Sequence, residues 1–387
     1  MTLTTSENGR HAEISGAGFA GLTAATALAL RGWTVRLHEK GNELREQGAG
    51  IVLWENSIKV LEAIGAYDAV LADSMTPPYY ETRMHGSTVS REEFGDLRWR
   101  TLTRPHLHRS LLDAALRAGV EVRSGSEVVA ADPAGSITLA SGETFEADLV
   151  VGADGVRSKV RDSIGFEQDR WKSRDGIIRF LVPRHKAELG PGEWDNVIDF
   201  WNLEPRYLRV LYVPCNEREL YVALGAPRAD EQGSQTPIDL DLWTSVFPEL
   251  TPVLKSAAVA EDARYYGYQT TKLRHWSHGR VALVGDSAHA MCPALAQGAG
   301  TAMANAYTLA TAATAADDDS DAFAAALRDW ERLERPITDR CQQRSADYAA
   351  TRRMAEGNQF GPENLETAVY DPTDPLRHGA GAAGKQR

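Results

Sequence analysis

The sequence has few cysteines, no long apolar run and no excess of positive charge. Its 387 residues include three cysteines, Cys215, Cys292 and Cys341, without the paired spacing of a metal site or disulfide framework. No run of about 18 apolar residues occurs, and residues 1–10 are polar, which argues against a membrane span and a signal peptide. Lys and Arg number 42 against 54 Asp and Glu, which disfavours nucleic acid and anionic membranes as partners. We therefore expect a cytoplasmic protein without a metal site.

A glycine-rich turn follows the first predicted strand. The motif Gly16-Ala-Gly18-Phe-Ala-Gly21 leads into a predicted helix, and the next strand ends in Glu39. Gly16 permits the tight turn, Gly18 lets a pyrophosphate approach, and Gly21 allows close packing of helix and strand. Glu39 would accept hydrogen bonds from ribose hydroxyls. This βαβ setting predicts a dinucleotide site, and the residues alone leave FAD and NAD both open.

Two later stretches have a related form, in which a buried strand ends beside a glycine and an aspartate. The first ends at Asp154, for which a turn capped by the aspartate is the alternative interpretation. The second ends at Asp286 and continues into the glycine-rich loop at residues 297–300. Such a loop exposes backbone N–H groups to an anion or a ring edge, and the aspartate can accept from cofactor hydroxyls. Taken alone, this connection is also common in α/β proteins without a ligand.

Residues 171–268 change to short alternating segments with many aromatic side chains, which predicts an antiparallel sheet. The expected strands are 175–182, 196–201, 207–213 and 219–225. If the last two pair about a turn near Cys215, Arg209 and Tyr221 fall opposite each other on one face. An arginine on an apolar sheet face is costly unless an anion lies beside it. The pair is therefore a candidate acid-binding site, with an exposed edge pair as the alternative.

The order of the three motifs resembles that of the flavoprotein aromatic hydroxylases, the single-component FAD monooxygenases of the p-hydroxybenzoate hydroxylase type. The resemblance extends over roughly residues 10–350. It implies an α/β fold with a Rossmann-like FAD-binding domain, an inserted antiparallel β-sheet substrate domain and C-terminal helices. The FAD-binding domain would comprise residues 1–75, 101–170 and 269–356, and the substrate domain residues 76–100 and 171–268. The Gly- and Pro-rich residues 357–387 are expected to form a loose tail.

The resemblance also implies which residues contact the cofactor. From the pyrophosphate to the flavin edge, these are Gly16, Gly18, Gly21, Glu39, Lys40, Arg45, Arg104, Val128, Asp286, Gly298, Ala299 and Gly300. Within this set, Val128 would lie by the adenine and Arg104 would reach the cofactor from the start of its helix. Asp286 would bind the ribityl–phosphate side.

Residues 76–82, 192–196, 214–217 and 291–298 are similar to the 2-methyl-3-hydroxypyridine-5-carboxylate oxygenases, which use NADH and O2 to hydroxylate and open a pyridine ring. This closer resemblance implies that the substrate and flavin edge are contacted by Arg209, Tyr221, Tyr80, Arg179 and Pro293. Val52 stands where those enzymes place a pocket tyrosine, which favours a close relative such as 5-hydroxynicotinate as substrate.

The resemblance implies hydroxylation through a flavin C4a-hydroperoxide, which survives only where water is excluded, as the apolar residues after Pro293 would ensure. Arg209 would hold the carboxylate, a contact worth about 1.5–3 kcal/mol. Tyr80 and Tyr221 would hydrogen-bond the ring oxygen or relay its proton. His289 is a candidate general base, with a structural hydrogen bond as the alternative. Ring opening is implied by the resemblance alone.

The expected partners are an aromatic N-heterocyclic acid, NADH and O2, and an oligomer is possible. Three alternatives stay open at this point: a phenol or salicylate hydroxylase of the same fold, a non-catalytic flavin-binding protein, and a plain NAD dehydrogenase. The last predicts a colourless protein, whereas the others predict a yellow one.

Overall fold

The computed structural model describes residues 9–43, 48–261, 263–351 and 359–375. The strands are β1 (His11–Ser15), β2 (Thr34–His38), β3 (Gly50–Trp54), β4 (Ser74–Met75), β5 (Tyr80–Met84), β6 (Ser87–Glu92), β7 (Trp99–Thr103), β8 (Glu121–Arg123), β9 (Val128–Asp132), β10 (Ser136–Leu139), β11 (Thr144–Glu146), β12 (Leu149–Gly152), β13 (Gln168–Pro183), β14 (Val197–Asn202), β15 (Leu208–Pro214), β16 (Glu219–Pro227), β17 (Tyr265–Leu273), β18 (Ser277–His278) and β19 (Val281–Leu283). The helices are α1 (Phe19–Ala29), α2 (Glu55–Ala63), α3 (Tyr67–Leu71), α4 (Arg104–Arg117), α5 (Lys159–Ser163), α6 (Glu231–Ser234), α7 (Leu240–Val246), α8 (Thr251–Ala258), α9 (Asp286–His289), α10 (Gly298–Ala315) and α11 (Ser320–Thr351), with short 3₁₀ turns at Pro248–Leu250 and Pro293–Leu295.

A six-stranded sheet in the order β18-β19-β12-β1-β2-β8 forms the first layer. Its central strands are parallel, and β1 lies between β2 and β12. Helix α1 is almost entirely buried and lies between this sheet and helices α4 and α10. Gly21 permits this approach, because a Cβ at this position would overlap the carbonyl of Gly16. The Rossmann-like arrangement predicted for the glycine motif is confirmed.

A seven-stranded sheet in the order β17-β13-β16-β15-β14-β5-β6 forms the second layer, which we call the substrate sheet. Helices α7 and α8 pack against one face with an apolar core that includes Trp243 and Phe247. The strand register pairs Arg209 with Gly225 and Val213 with Tyr221. Arg209 and Tyr221 therefore share one face, as expected. The prediction that they lie opposite each other is wrong. The register is shifted because Cys215 still belongs to the hairpin ladder, where its N–H donates to the Glu219 carbonyl at 2.9 Å, so the turn lies at residues 216–218.

Two three-stranded sheets complete the β structure, β11-β10-β9 and β3-β7-β4. The second lies between the two large sheets, where Trp54 stacks on Trp99 at 5.7 Å between ring centres. Gly50, in β3, lies so close to β16 that a Cβ there would overlap the side chain of Tyr221. The first residue of β3 therefore packs directly against the substrate sheet.

The C-terminal residues 359–375 differ from the expected loose tail. Phe360 is buried in an aromatic cluster, and the Asn56 backbone N–H donates to the Ala368 carbonyl at 3.0 Å. Ion pairs join Arg340 and Arg344 of α11 to Glu366. These contacts come from residues far away in the chain, which composition alone does not reveal. The remaining residues of the predicted tail lie outside the described residues.

Within the described ranges, no helix is both long enough and apolar enough to cross a membrane. In the same ranges, no group of three or more His, Cys, Asp or Glu side chains is arranged to hold a metal ion. The three cysteines are buried and form no disulfide with one another.

Candidate active site

The glycine turn borders a cleft of about 710 Å³ at the ends of β1, β2 and β12. The Gly16 N–H donates to the His38 carbonyl at 2.8 Å with φ of 101°, a conformation that favours glycine. Gly18 precedes α1, and no protein atom lies within 4 Å of where its Cβ would be. The space beside this backbone and the N terminus of α1 suits the pyrophosphate of a dinucleotide.

The carboxylate of Glu39 is fixed by two backbone donors, Ala17 N–H at 3.1 Å and Gly41 N–H at 3.0 Å. It lines the same cleft as Lys40 and Val128, two of the predicted cofactor contacts. The cleft thus has an acid for ribose hydroxyls, a cation and an apolar residue beside them. Arg45 lies outside the described residues.

Asp154 combines the two interpretations that the sequence left open. One carboxylate oxygen caps α5 by accepting the Lys159 and Val160 N–H groups at 2.8 and 3.2 Å. Its other oxygen is buried without a hydrogen-bond partner among the described residues, and the side chain lines the cleft. An unpartnered buried oxygen is costly unless a ligand supplies a donor. Together with the open space at Gly18, it indicates that these residues fit FAD.

Asp286 and the first turn of α10 contain the other predicted cofactor contacts. Asp286 begins α9 directly after Gly285, and its side chain is open to solvent. Although solvent reaches this side chain, many protein atoms surround its carboxylate; their effect raises its pKa, and the charge of Arg104 opposes that rise. Residues 298–300 begin α10, so their N–H groups lack intrahelical acceptors and can meet a flavin carbonyl.

A second, narrower cavity lies between the substrate sheet and the loop at residues 293–296. Its apolar lining is formed by Val52, Trp54, Trp99, Ile177, Val197, Leu211, Val213, Ala223, Pro293, Ala294, Ala296 and Phe360. Its polar lining is formed by Tyr80, Arg209, Tyr221, Tyr268 and Gln359. The cavity is therefore an apolar chamber with a few polar groups, as expected of a site for a small aromatic acid.

The anion that Arg209 requires is Asp199, a residue that sequence analysis missed. The fully buried Asp199 carboxylate accepts from Arg209 Nε at 2.5 Å and Nη2 at 2.8 Å, and from the Tyr80 hydroxyl at 2.8 Å. Burial alone would lower the pKa of Arg209, but the charge and hydrogen bonds of Asp199 hold that pKa well above its usual value. Burial, followed by the charge of Asp199, raises the pKa of Tyr80 well above its usual value.

Tyr221 lies in a different electrostatic environment. Burial raises the pKa of its hydroxyl, whereas the charges of Arg179, Arg209 and Arg104 oppose that rise. Arg179 shares the cavity-facing side of the sheet, since it pairs with Ala223, and its guanidinium lies 4.3 Å from the ring centre of Tyr266. Negative charge near the Tyr221 hydroxyl is thus stabilised from several directions.

His289 does not line the cavity. It is buried against Trp276, with ring centres 5.2 Å apart, and its Nε2 lies 3.1 Å from Asn305 Nδ2. Because the Asn305 amide nitrogen is a donor that also reaches Thr338, this ring nitrogen of His289 acts as the acceptor. Burial lowers the pKa of His289 to about 4. The geometry favours the structural role that the sequence analysis held as the alternative.

Sequence analysis missed two polar residues of the cavity lining, Tyr268 and Gln359, the apolar neighbour Phe360, and Asp199, which bonds Arg209 and Tyr80. A signal existed for Asp199, because it is a charge on the same strand face as Val197 and Trp201. Gln359 and Phe360 offered none, since they reach the cavity from a segment expected to be loose.

Comparison with known proteins gives a consistent result. Residues 11–325 match the FAD binding domain family. The tetrameric form of 2-methyl-3-hydroxypyridine-5-carboxylic acid oxygenase is 58% identical, with a TM-score of 0.92 over 96% of this chain and 99% of that one. 2-heptyl-3-hydroxy-4(1H)-quinolone synthase of Mycobacteroides abscessus is 39% identical over 86% of this chain and 88% of its own. 6-hydroxynicotinate 3-monooxygenase of Bordetella bronchiseptica is 28% identical over 76% of this chain and 80% of its own.

Proposed function

The chain belongs to the FAD binding domain family as a flavin-dependent aromatic-ring monooxygenase, and we propose that its substrate is a hydroxylated pyridine carboxylate. The substrate would be of the 5-hydroxynicotinate or 2-methyl-3-hydroxypyridine-5-carboxylate type, hydroxylated and then ring-opened with NADH and O2. The observation that carries this proposal is a buried arginine in an aromatic-lined cavity bordered by the loop at residues 293–296, just before α10. Family membership removes the plain NAD dehydrogenase and the non-catalytic flavin protein from the alternatives.

Arg209 would hold the substrate carboxylate. Asp199 occupies its Nε and Nη2 on one side, so Nη1 is the nitrogen left to face a ligand in the cavity. A charge-assisted hydrogen bond of this kind contributes about 1.5–3 kcal/mol. Because Asp199 fixes the guanidinium, the carboxylate would bind in one orientation and would fix the direction of the ring.

Tyr221 would contact the ring hydroxyl. Hydroxylation requires a ring made electron-rich by a phenolate-like oxygen, and the charges of Arg179, Arg209 and Arg104 favour negative charge near the Tyr221 hydroxyl. With its pKa raised, the Tyr221 hydroxyl is protonated at neutral pH and can donate to that oxygen.

The wall formed by Pro293, Ala294 and Ala296 would separate the ring from water on the side of the cofactor. FAD, held by the glycine turn and the start of α10 and reduced by NADH, would supply the activated oxygen. Val52 lines the same cavity. Its small side chain offers no hydroxyl to the ring, which supports 5-hydroxynicotinate as the first substrate to test.

The test is a panel of acids given to the purified yellow holoenzyme, with substrate-stimulated NADH oxidation as the readout. The panel contains 5-hydroxynicotinate, 2-methyl-3-hydroxypyridine-5-carboxylate, salicylate and an alkylquinolone. We expect strong stimulation by a pyridine acid and a product that gains two oxygen and two hydrogen atoms. Hydroxylation adds one oxygen from O2 and releases the other as water, and ring opening then adds one molecule of water. Stimulation by salicylate alone, or by the quinolone alone, would contradict the proposed substrate class and assign the enzyme to that compound's class. A product with one added oxygen would remove ring opening.

Self-association is part of the proposal, because the 58%-identical structure is described as tetrameric. Light scattering of the holoenzyme would give a mass of several chains, and a mass of one chain would contradict it.

A further inference from the structure

The segment 359–375 supplies a wall of the substrate cavity from outside the residues that the family match covers, which end at 325. Gln297, in the loop beside the cavity, donates from Nε2 to the Asn364 carbonyl at 2.6 Å. Lys59 of α2 pairs with Asp371 at 2.6 Å. These bonds hold the segment against both the cofactor-side loop and the first layer. Because the family match does not include this wall, it is a place where members of the family can differ in the substrate that they bind.

Phe360 fixes the beginning of this segment. Its ring centre lies 4.6 Å from that of Tyr80, 5.3 Å from Phe94 and 5.6 Å from Trp54, with edge-on or tilted geometry. Contacts of this type are favourable beyond the area they bury. The neighbouring residue, Gln359, is therefore held at a defined position beside Tyr80.

The orientation of the Gln359 amide follows from its partners. Its nitrogen lies 2.7 Å from the Ala294 carbonyl, which can only accept, so this end must be the donor. Its oxygen then lies 3.2 Å from the Tyr80 hydroxyl and 3.4 Å from the Tyr348 hydroxyl. An amide nitrogen has two hydrogens, and the Ala294 carbonyl takes one. Within the described ranges no other acceptor takes the second, which leaves it for a molecule in the cavity that Gln359 lines.

We propose that Gln359 determines specificity by donating its second amide hydrogen to the ring nitrogen of the substrate. This inference rests on the proposed function. The ring of 5-hydroxynicotinate has three polar groups at alternating positions, a carboxylate, a hydroxyl and the nitrogen. Arg209 and Tyr221 serve the first two, and Gln359 approaches the cavity from a third element. A carbocyclic acid lacks the acceptor and leaves the buried donor unsatisfied, which is the basis of strong rejection.

The test compares 5-hydroxynicotinate with 3-hydroxybenzoate, which has the same shape and lacks the ring nitrogen. Dissociation constants are read from the change in flavin absorbance of the holoenzyme, for the wild type, Gln359→Leu and the control Gln343→Leu. Gln343 lies on α11 and bonds only to exposed Asp347 among the described contacts. We expect Gln359→Leu to weaken the pyridine acid about tenfold and the benzoate little. The control should change neither.

An equal loss for both acids would make Gln359 a structural residue and overturn the proposal, as would no loss for either. Gln359→Met, which keeps the unbranched shape, gives the same comparison where the leucine variant loses flavin. A wild type that binds and oxidises the benzoate but not the pyridine acid overturns the proposed function. That result is visible without any variant, so the two failures are distinguishable.

Discussion

Replacing Arg209 with methionine should damage two properties together, the stability of the fold and the binding of the acid substrate. Asp199 has no exposed surface and receives both Arg209 nitrogens within 2.8 Å. The variant therefore leaves a buried carboxylate with the Tyr80 hydroxyl as its remaining partner in this cluster. Removing one side of a buried ion pair costs about 3–5 kcal/mol. That is a large fraction of the roughly 5–15 kcal/mol that stabilises a typical folded protein.

The double variant Arg209→Met/Asp199→Asn separates the two effects. With both charges gone, no uncompensated ion remains, and an asparagine oxygen can still accept from Tyr80. We expect the double variant to recover most of the lost stability in urea unfolding followed by far-UV circular dichroism. The acid should still bind about 10–150-fold more weakly, which corresponds to about 1.5–3 kcal/mol, in titrations that follow flavin absorbance. The carboxamide of the same substrate serves as the matched ligand and should lose much less.

Two results would refute this account. A single Arg209→Met variant as stable as the wild type would mean that Asp199 is not held as a buried ion by this pair. A double variant that binds the acid as tightly as the wild type would remove Arg209 from carboxylate recognition.

Four other changes test other parts of the site. Gly18→Ala should leave the thermal stability of the apoprotein unchanged, because no protein atom is within 4 Å of the new methyl group, but should weaken FAD binding at least tenfold in fluorescence titrations. Gly50→Ala should lower stability by about 1–3 kcal/mol in urea unfolding, because the methyl group overlaps Tyr221 and lies 2.6 Å from the Cys215 sulphur; unchanged stability would contradict the close contact. Tyr221→Phe should retain FAD but divert NADH oxidation to hydrogen peroxide, and full coupling to product would exclude its contact with the ring oxygen. Burial lowers the pKa of His289 from 6.5 to about 4, so the unfolded chain takes up this proton first as pH falls. The contribution of His289 to the free energy of unfolding is therefore complete above pH 6.5 and falls by about 3 kcal/mol as pH drops toward 4. His289→Gln should flatten that slope in urea midpoints measured across this range.

The sequence predicted those parts of the fold that depend on neighbouring residues. The glycine turn and the acid after β2 are local patterns, and both line the cleft at the ends of β1, β2 and β12. The strand before Asp286 is also a local pattern, and it forms β19, which pairs with β12. The shared face of Arg209 and Tyr221 followed from the two-residue period of strands. Their exact pairing did not, because the register of a hairpin depends on where the turn begins and ends.

The polar partners of the substrate cavity depend on contacts between distant residues. Tyr80 and Asp199 are 119 residues apart, and Tyr80 and Gln359 are 279 residues apart. No local pattern records such pairs, and Gln359 belongs to a segment whose Gly- and Pro-rich composition suggested a loose tail. The principle that a buried arginine needs an anion predicted that a partner existed, but it could not distinguish a protein carboxylate from the substrate.

Tyr80 and Tyr221, the two cavity tyrosines that the sequence analysis gave the same role, differ in what their hydroxyl hydrogen can do. Tyr80 donates to Asp199, and the charge of that carboxylate adds to burial in raising its pKa. Losing the Tyr80 proton would place two negative groups side by side, so we infer that this hydroxyl fixes Asp199 and does not carry protons during turnover. Around Tyr221, three arginines favour negative charge. If Tyr221 and the substrate hydroxyl share a proton, the negative charge on their oxygens therefore lies in the part of the cavity that stabilises it best.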